Sequence, residues 1–285
     1  MDTTRIALAT AFALATAGPA LAMGHAGTMG YALAGDGATL VTMSDIASPG
    51  DARTFDLDAP LRAIAYRPVT GQLLGYADGA MYEIDPATGT LTDLGATFAD
   101  DASIGAGAVA FDFNNQIDAV RAVGADGANL VYFPEGFGDG DERANSVRRF
   151  TDAFYVDGDA SAGADPLIFA NAYTNAIDGR TASATAQYAL DARANALVTL
   201  ANNAGELATV GLLTIDGDAV DVLDTGGFDI VSEAEGSDLA YAVLQIDAED
   251  TAGLYLVDLS SGALTLLGEL GLGGITGFAA SHGGM

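Results

Sequence analysis

The chain has 285 residues, half of them hydrophobic, and sets ten basic residues, all arginine, against 39 acidic ones, for a formal charge of −29 and a pI near 4.1. Such a balance argues against nucleic acid, whose phosphates select Lys and Arg, and against docking on anionic lipid. With no cysteine, no lysine and two histidines near the termini, His25 and His282, thiol nucleophiles, Schiff bases, multi-histidine metal centres and nearly any Ser-His-Asp arrangement are excluded as well.

In chain order, the first element is a secretory signal peptide over residues 1–22: Arg5, an apolar stretch from Ile6 to Ala17, and the cleavage site Ala20-Leu21-Ala22. The product is expected to be exported, periplasmic or extracellular, with residues 23–285 as one domain and a monomer. No later apolar run reaches the ~18 residues of a membrane span, so no membrane insertion is expected.

After the signal the chain alternates short apolar runs with Gly, Asp, Asn and Pro, the pattern of many short antiparallel strands. Asp36-Gly37-Ala38, Asp78-Gly79-Ala80 and Asp126-Gly127-Ala128 each separate two such runs, which predicts hairpins with type I′ turns. Short strands of small and aromatic residues recur at Ala63–Tyr66, Ala108–Phe113, Ala170–Tyr173, Gly227–Ile230 and Gly277–Ala280, suited to a crowded axis. The first four open units at about 61–95, 106–157, 168–213 and 227–270. Three strands in 28–58 and one in 275–281 complete a fifth unit. The fold predicted is therefore all-β, a single β-propeller of five four-stranded blades closed by the C-terminal strand. The stretch 214–226 leaves a six-bladed ring open.

A second repeat aligns Asp85-Pro-Ala-Thr-Gly89 with Asp258-Leu-Ser-Ser-Gly262 and with Asp191-Ala-Arg-Ala-Asn195. Gly and Asn both tolerate a left-handed backbone, so the three predict one turn geometry.

Several segments together carry a family resemblance. Phe111-Asp112-Phe113-Asn114, then Asp118 and Arg121-Ala-Val123, then Asn129-Leu130, resemble the DFNP, D-R-x-R-V-V and G-x-N-L block of the bacterial family DUF4394. Ala172-Tyr-Thr-Asn175, the run 202–212 and Gly227-Phe-Asp-Ile230 resemble its later AYTN, GTL-x-TVG and GFDI segments, in order. Asn115 stands where the family usually has Pro, and Ala119 where its first Arg is expected. The resemblance implies an exported propeller and is silent on activity.

The chemistry that remains is that of carboxylates. Asp112 and Asp229 occupy comparable places in two inner strands and face a central channel in this reading. Together with Asn114, Arg121, Tyr173 and Asn175 they form the expected ligand-binding set at the channel and blade tops. Calcium, which takes carboxylate oxygens, is the one cofactor considered, at Asp139 and Asp141 (with Glu142), at Asp157 and Asp159 (with Asp165), or at Asp216 and Asp218 (with Asp221). His25 and His282 could share a metal where the ring closes. Arg143, Arg148 and Arg149 either recognise an anion or neutralise neighbouring aspartates. The function expected is a non-enzymatic scaffold for a small ligand or a protein. The alternatives are a glycosidase-like hydrolase using Asp112 and Asp229, and a calcium-stabilised envelope protein.

Overall fold

A computed structural model describes residues 27–282. The signal peptide expected at 1–22 and His25 lie outside the described residues. Five small sheets stand in a ring, and their innermost strands are Ala63–Arg67, Val109–Asn114, Ile168–Tyr173, Val222–Ser232 and Gly277–His282. Each of these contacts the next around the axis, and the last contacts the first. The molecule is a five-bladed β-propeller. We number the blades 1–5 in chain order. Blade 1 combines Thr28–Ala34, Thr39–Met43 and Arg53–Asp56 with the C-terminal Gly277–His282, whose Ala279 pairs with Tyr31 and Phe278 with Ala32. This is the closure that the sequence predicts.

The inner strands are buried on both faces, so their alternation decides which neighbour each side chain meets. Ile64 joins the core between blades 1 and 2, while Ala63 and Ala65 join that between blades 2 and 3. Ile230 faces blade 4 and Val231 faces blade 1. Phe278 and Ala280 fill the interface of blades 5 and 1, Ala279 the next. The core is thus five wedges between sheets, in place of one central nucleus.

All five blades keep the four strands expected, and three add a short parallel one at the rim. Thr97–Phe98 lies beside Ser146–Arg149, Phe154–Tyr155 beside Glu206–Leu212, and Thr214–Ile215 beside Ala263–Glu269. In each case the linker from the preceding blade crosses the outer edge before turning to the axis, which covers unpaired backbone. The pair hidden in 214–226, Thr214–Ile215 and Asp218–Ala219, therefore extends blade 5 and makes no sixth blade.

The turns correct two expectations. Hairpins form at all three Asp-Gly sites, but of Asp36, Asp78 and Asp126 only Asp36 has positive φ, at 55°. At Asp78 and Asp126 the glycine alone is left-handed, so these two are not type I′. Asp126 instead accepts the Ala128 and Gly105 N–H groups, stitching its tip to the linker that leads into its own blade. The Asp85, Asp191 and Asp258 turns do share a geometry: each carboxylate accepts the N–H two residues on at 2.8 Å, and the turn ends on left-handed Gly89, Asn195 or Gly262. Their places differ, however. Gly89 and Gly262 join the third and fourth strands of their blades, whereas Asn195 joins the second and third, at the opposite end of the ring. The true counterparts of Asn195 are Gly37 and Gly127. All three give a carbonyl to the following linker, to Leu61, Ala153 and Leu213 at 2.8–2.9 Å.

Turns between third and fourth strands wedge against the preceding blade. A Cβ on Gly89 would stand 3.0 Å from the Asp56 carbonyl, and one on Gly205 would overlap the carbonyls of Thr151 and Asp152. Gly79, equally left-handed, faces open space. Gly79→Ala should cost only backbone strain, roughly 1–2 kcal/mol, and Gly205→Ala clearly more. Denaturant unfolding of the two variants measures the gap, and equal losses would contradict the wedge.

Candidate functional site on the ring axis

An innermost strand has no partner on its axial side, so alternate N–H and C=O groups point into the channel and need other partners. Two carboxylates supply them. Asp112 Oδ2 accepts the Tyr173 N–H of blade 4 at 2.7 Å, and Asp229 Oδ2 accepts the Ala280 N–H of the closing strand at 2.6 Å. Asp229 Oδ1 also accepts the Ile230 N–H at 2.7 Å. Asp112 and Asp229 are 3% and 4% exposed, so neither meets bulk solvent. Desolvation pushes Asp112 well above the usual carboxylate range, and the charge of Asp229 adds to this. Desolvation lifts Asp229 to about 7, against the stabilising N–H bonds from Ala280 and Ile230. Asn171 holds the corresponding place in blade 4, but both its amide atoms are buried without a partner. It borders an axial void of about 10 Å³ among Ala63, Val109, Phe111, Phe228 and Phe278, room for one water molecule.

The other expected ligand residues are engaged elsewhere. Arg121, 3% exposed, donates from Nε to the Tyr173 hydroxyl at 2.7 Å, from Nη1 to Asn129 Oδ1, and from Nη2 to Asn203 Oδ1 at 2.7 Å. The single Tyr173 hydroxyl proton has two acceptors within reach, Gln187 Oε1 and Asn202 Oδ1, each at 2.9 Å. This clamp joins blades 3 and 4, whose shared core combines alanines (Ala110, Ala153, Ala189, Ala196) with Tyr155, Ile168, Leu200 and Leu207. Asn114 Oδ1 accepts the Gln116 N–H and the Thr185 hydroxyl, each at 3.0 Å. Asn175, left-handed at φ 60°, accepts the Gly236 N–H and donates to the Ala184 carbonyl. Asn115, fully buried, donates to the carbonyl of Asn175 at 2.7 Å and to that of Arg180 at 3.2 Å. These residues latch the blade 3, 4 and 5 loops at the rear of the ring, where the inner strands end.

At the front, where the inner strands begin, the axis opens into a cavity of about 300 Å³. Asp36, Asp224, Thr225 and Thr276 border it, with Leu61 and Ala108 as apolar wall. The Thr225 and Thr276 hydroxyls are buried without a partner. Arg62 also borders it, but its guanidinium is bound to Asp78 and to the carbonyls of Ile104, Gly105 and Gly107. Sequence reasoning missed this funnel. Its one sequence signal is a Thr-Gly pair in or at the start of two inner strands, at Thr225-Gly226 and Thr276-Gly277.

Among the aspartates considered for calcium, Asp141 holds Arg143 through two bonds of 2.6 and 2.9 Å, which keep its carboxyl near 2. Asp159 accepts the Thr209 N–H and hydroxyl at 2.7 and 2.9 Å. Asp139 and Asp157 are exposed turn residues. Among the described residues no three carboxylate or imidazole groups converge. Arg143, Arg148 and Arg149 pair with Asp141, Glu142 and Asp152, which is the neutralising role weighed from sequence.

The profile of DUF4394, described as a domain of unknown function, matches residues 40–279. The chain belongs to this family. No curated protein matches it significantly. It is similar to a crystal structure of a protein of unknown function from Bacteroides thetaiotaomicron VPI-5482 (12% identity, 74% of this chain, 55% of that one, TM-score 0.45). It is also similar to a protein of unknown function from Bacteroides caccae (10% identity, 90% and 99% coverage, TM-score 0.39). A third similar structure is described as an auxiliary nutrient binding protein from Bacteroides ovatus ATCC 8483 (12% identity, 74% and 55% coverage, TM-score 0.42). The chain spans about half the length of the first and third.

In this DUF4394 chain the buried carboxylates carry a definite pH signature. The folded state holds the Asp229 proton up to about pH 7, while an ordinary carboxyl releases it near 3.8. The unfolded state therefore binds fewer protons between those values, and this residue's contribution to stability falls as pH rises through that window. Above about pH 7 the full penalty stands; below the unfolded value it vanishes. Asp229→Asn keeps an acceptor for Ala280 and removes the charge. Its melting temperature relative to wild type should rise between pH 4 and pH 8, by roughly 3 °C or more. An offset that does not change with pH would contradict the assignment.

Proposed function

We propose that this DUF4394 chain is an exported, non-enzymatic binding propeller that takes a small, polar, non-anionic ligand in the front funnel. The observation that carries the reading is the pair of buried, unpartnered hydroxyls, Thr225 and Thr276, on the wall of an axial cavity of about 300 Å³. Buried polar groups normally find partners; a χ1 rotation of each threonine turns its hydroxyl to the cavity, where a ligand hydroxyl or amine supplies one. Asp36 and Asp224 on the same wall, in a chain of charge −29, repel anions. Export is inferred from the signal peptide expected at 1–22.

Binding is favoured over hydrolysis by the state of Asp112 and Asp229. Each accepts a backbone N–H and is sealed from solvent. The axial void of about 10 Å³ that follows the funnel admits no sugar ring.

Titration calorimetry and thermal shift with polyols, mono- and disaccharides and small alkylamines test the reading. At least one class should bind saturably, and each of Thr225→Val and Thr276→Val should weaken it about tenfold, the worth of one hydrogen bond. Absence of binding in all classes, or affinity unchanged in both variants, would overturn it.

A further inference from the structure

A second cavity, of about 350 Å³, lies between blades 1 and 2 toward the rear of the ring. Its wall follows from register. Tyr31 pairs with Thr42 and Thr42 with Arg53, while Leu33 pairs with Leu40 and Leu40 with Phe55. The two rows share one face of blade 1. The Leu33 row closes into the core with Ile64 and Leu73 of blade 2. The Tyr31 row stays open, and Pro86 on a blade 2 turn forms the opposite wall.

The charges in this groove are unusual for the molecule. Every other described arginine has a hydrogen bond or ion pair for its guanidinium, including Arg62, Arg67, Arg121 and Arg193. Arg143, Arg148, Arg149 and Arg180 pair with acidic side chains. Arg53 has none among the described residues, in a chain with a fourfold excess of acidic groups. Asp51, two residues earlier on the same wall, is also without a side-chain partner, and the two do not pair with each other. Beside them stand the Thr42 and Ser44 hydroxyls and the apolar faces of Tyr31 and Phe55.

We infer that this groove binds a free apolar α-amino acid as its zwitterion, with the carboxylate on Arg53, the ammonium on Asp51 and the side chain against Tyr31, Phe55 and Pro86. The guanidinium fork matches a carboxylate bidentately. A zwitterion carries no net charge, so the field of a −29 chain does not repel it as it would a simple carboxylate. The site is separate from the front funnel and selects by the opposite rule, since it requires an anionic group where the funnel rejects one.

Calorimetric titration of the full chain with L-leucine and L-phenylalanine, beside N-acetyl-L-leucine and L-leucinamide, tests the inference. Both zwitterions should bind saturably, and each blocked form, lacking one charge, should bind at least tenfold more weakly. Arg53→Gln and Asp51→Asn, both at exposed positions, should each lower zwitterion affinity at least tenfold while leaving the melting temperature near wild type. No saturable heat up to about 10 mM, equal binding of the blocked forms, or wild-type affinity in both variants would overturn it.

Discussion

Bringing five sheets to one axis creates an electrostatic demand that the rest of the structure answers. Every inner strand presents an unpaired backbone edge to a channel too narrow for bulk water. Asp112 and Asp229 meet that demand by accepting N–H groups from the next blade around the ring, Tyr173 and Ala280. The second of these bonds fixes the C-terminal strand to blade 5, so a single buried carboxylate helps to close the ring. The cost is desolvation of an acid, visible in the raised pKa of both groups. A channel closed in this way leaves recognition to the two rims and to the gaps between blades.

Between the blades the same logic repeats with different chemistry. Four interfaces are filled by aliphatic and aromatic side chains from the facing strands of both blades, with small and aromatic residues of the inner strands at the axis. At the interface of blades 3 and 4 a smaller apolar core is joined by a buried arginine, a tyrosine and several asparagines. Arg121 is held by neutral oxygens and by the face of Phe150 at 5.8 Å. Most members of this network find partners, Gln187 Nε2 being the exception, and that mutual satisfaction is what the polar residues prominent in the sequence serve.

The ring was legible because a propeller repeats its inner strand, and that strand must be small-residue, short and doubly buried. Gly277-Phe278-Ala279-Ala280 could be matched with Gly227-Phe228-Asp229 for that reason, and closure followed. Turn backbones were less legible. Asp-Gly at 78 and 126 reads like Asp-Gly at 36, yet only Asp36 is left-handed, because the linker bond that Asp126 makes to Gly105 is a tertiary one. Asn195 was grouped with Gly89 and Gly262 by local sequence, and only strand order shows that it belongs with Gly37 and Gly127. Arg121 and Tyr173 stood out as polar residues in apolar strands, but local sequence does not say that they meet each other. That Thr225, Thr276 and Arg53 lack partners is not legible in the sequence, since a missing partner is a property of the assembled ring.

The account rests on axial N–H groups being capped by buried carboxylates, and amide hydrogen exchange reads this residue by residue. The Tyr173 and Ala280 amides should exchange in the slowest class, through global unfolding. In Asp229→Ala the Ala280 amide should exchange much faster while Tyr173 stays slow. If both amides exchange at the rate of exposed loops in the wild-type chain, the capped-edge account is contradicted.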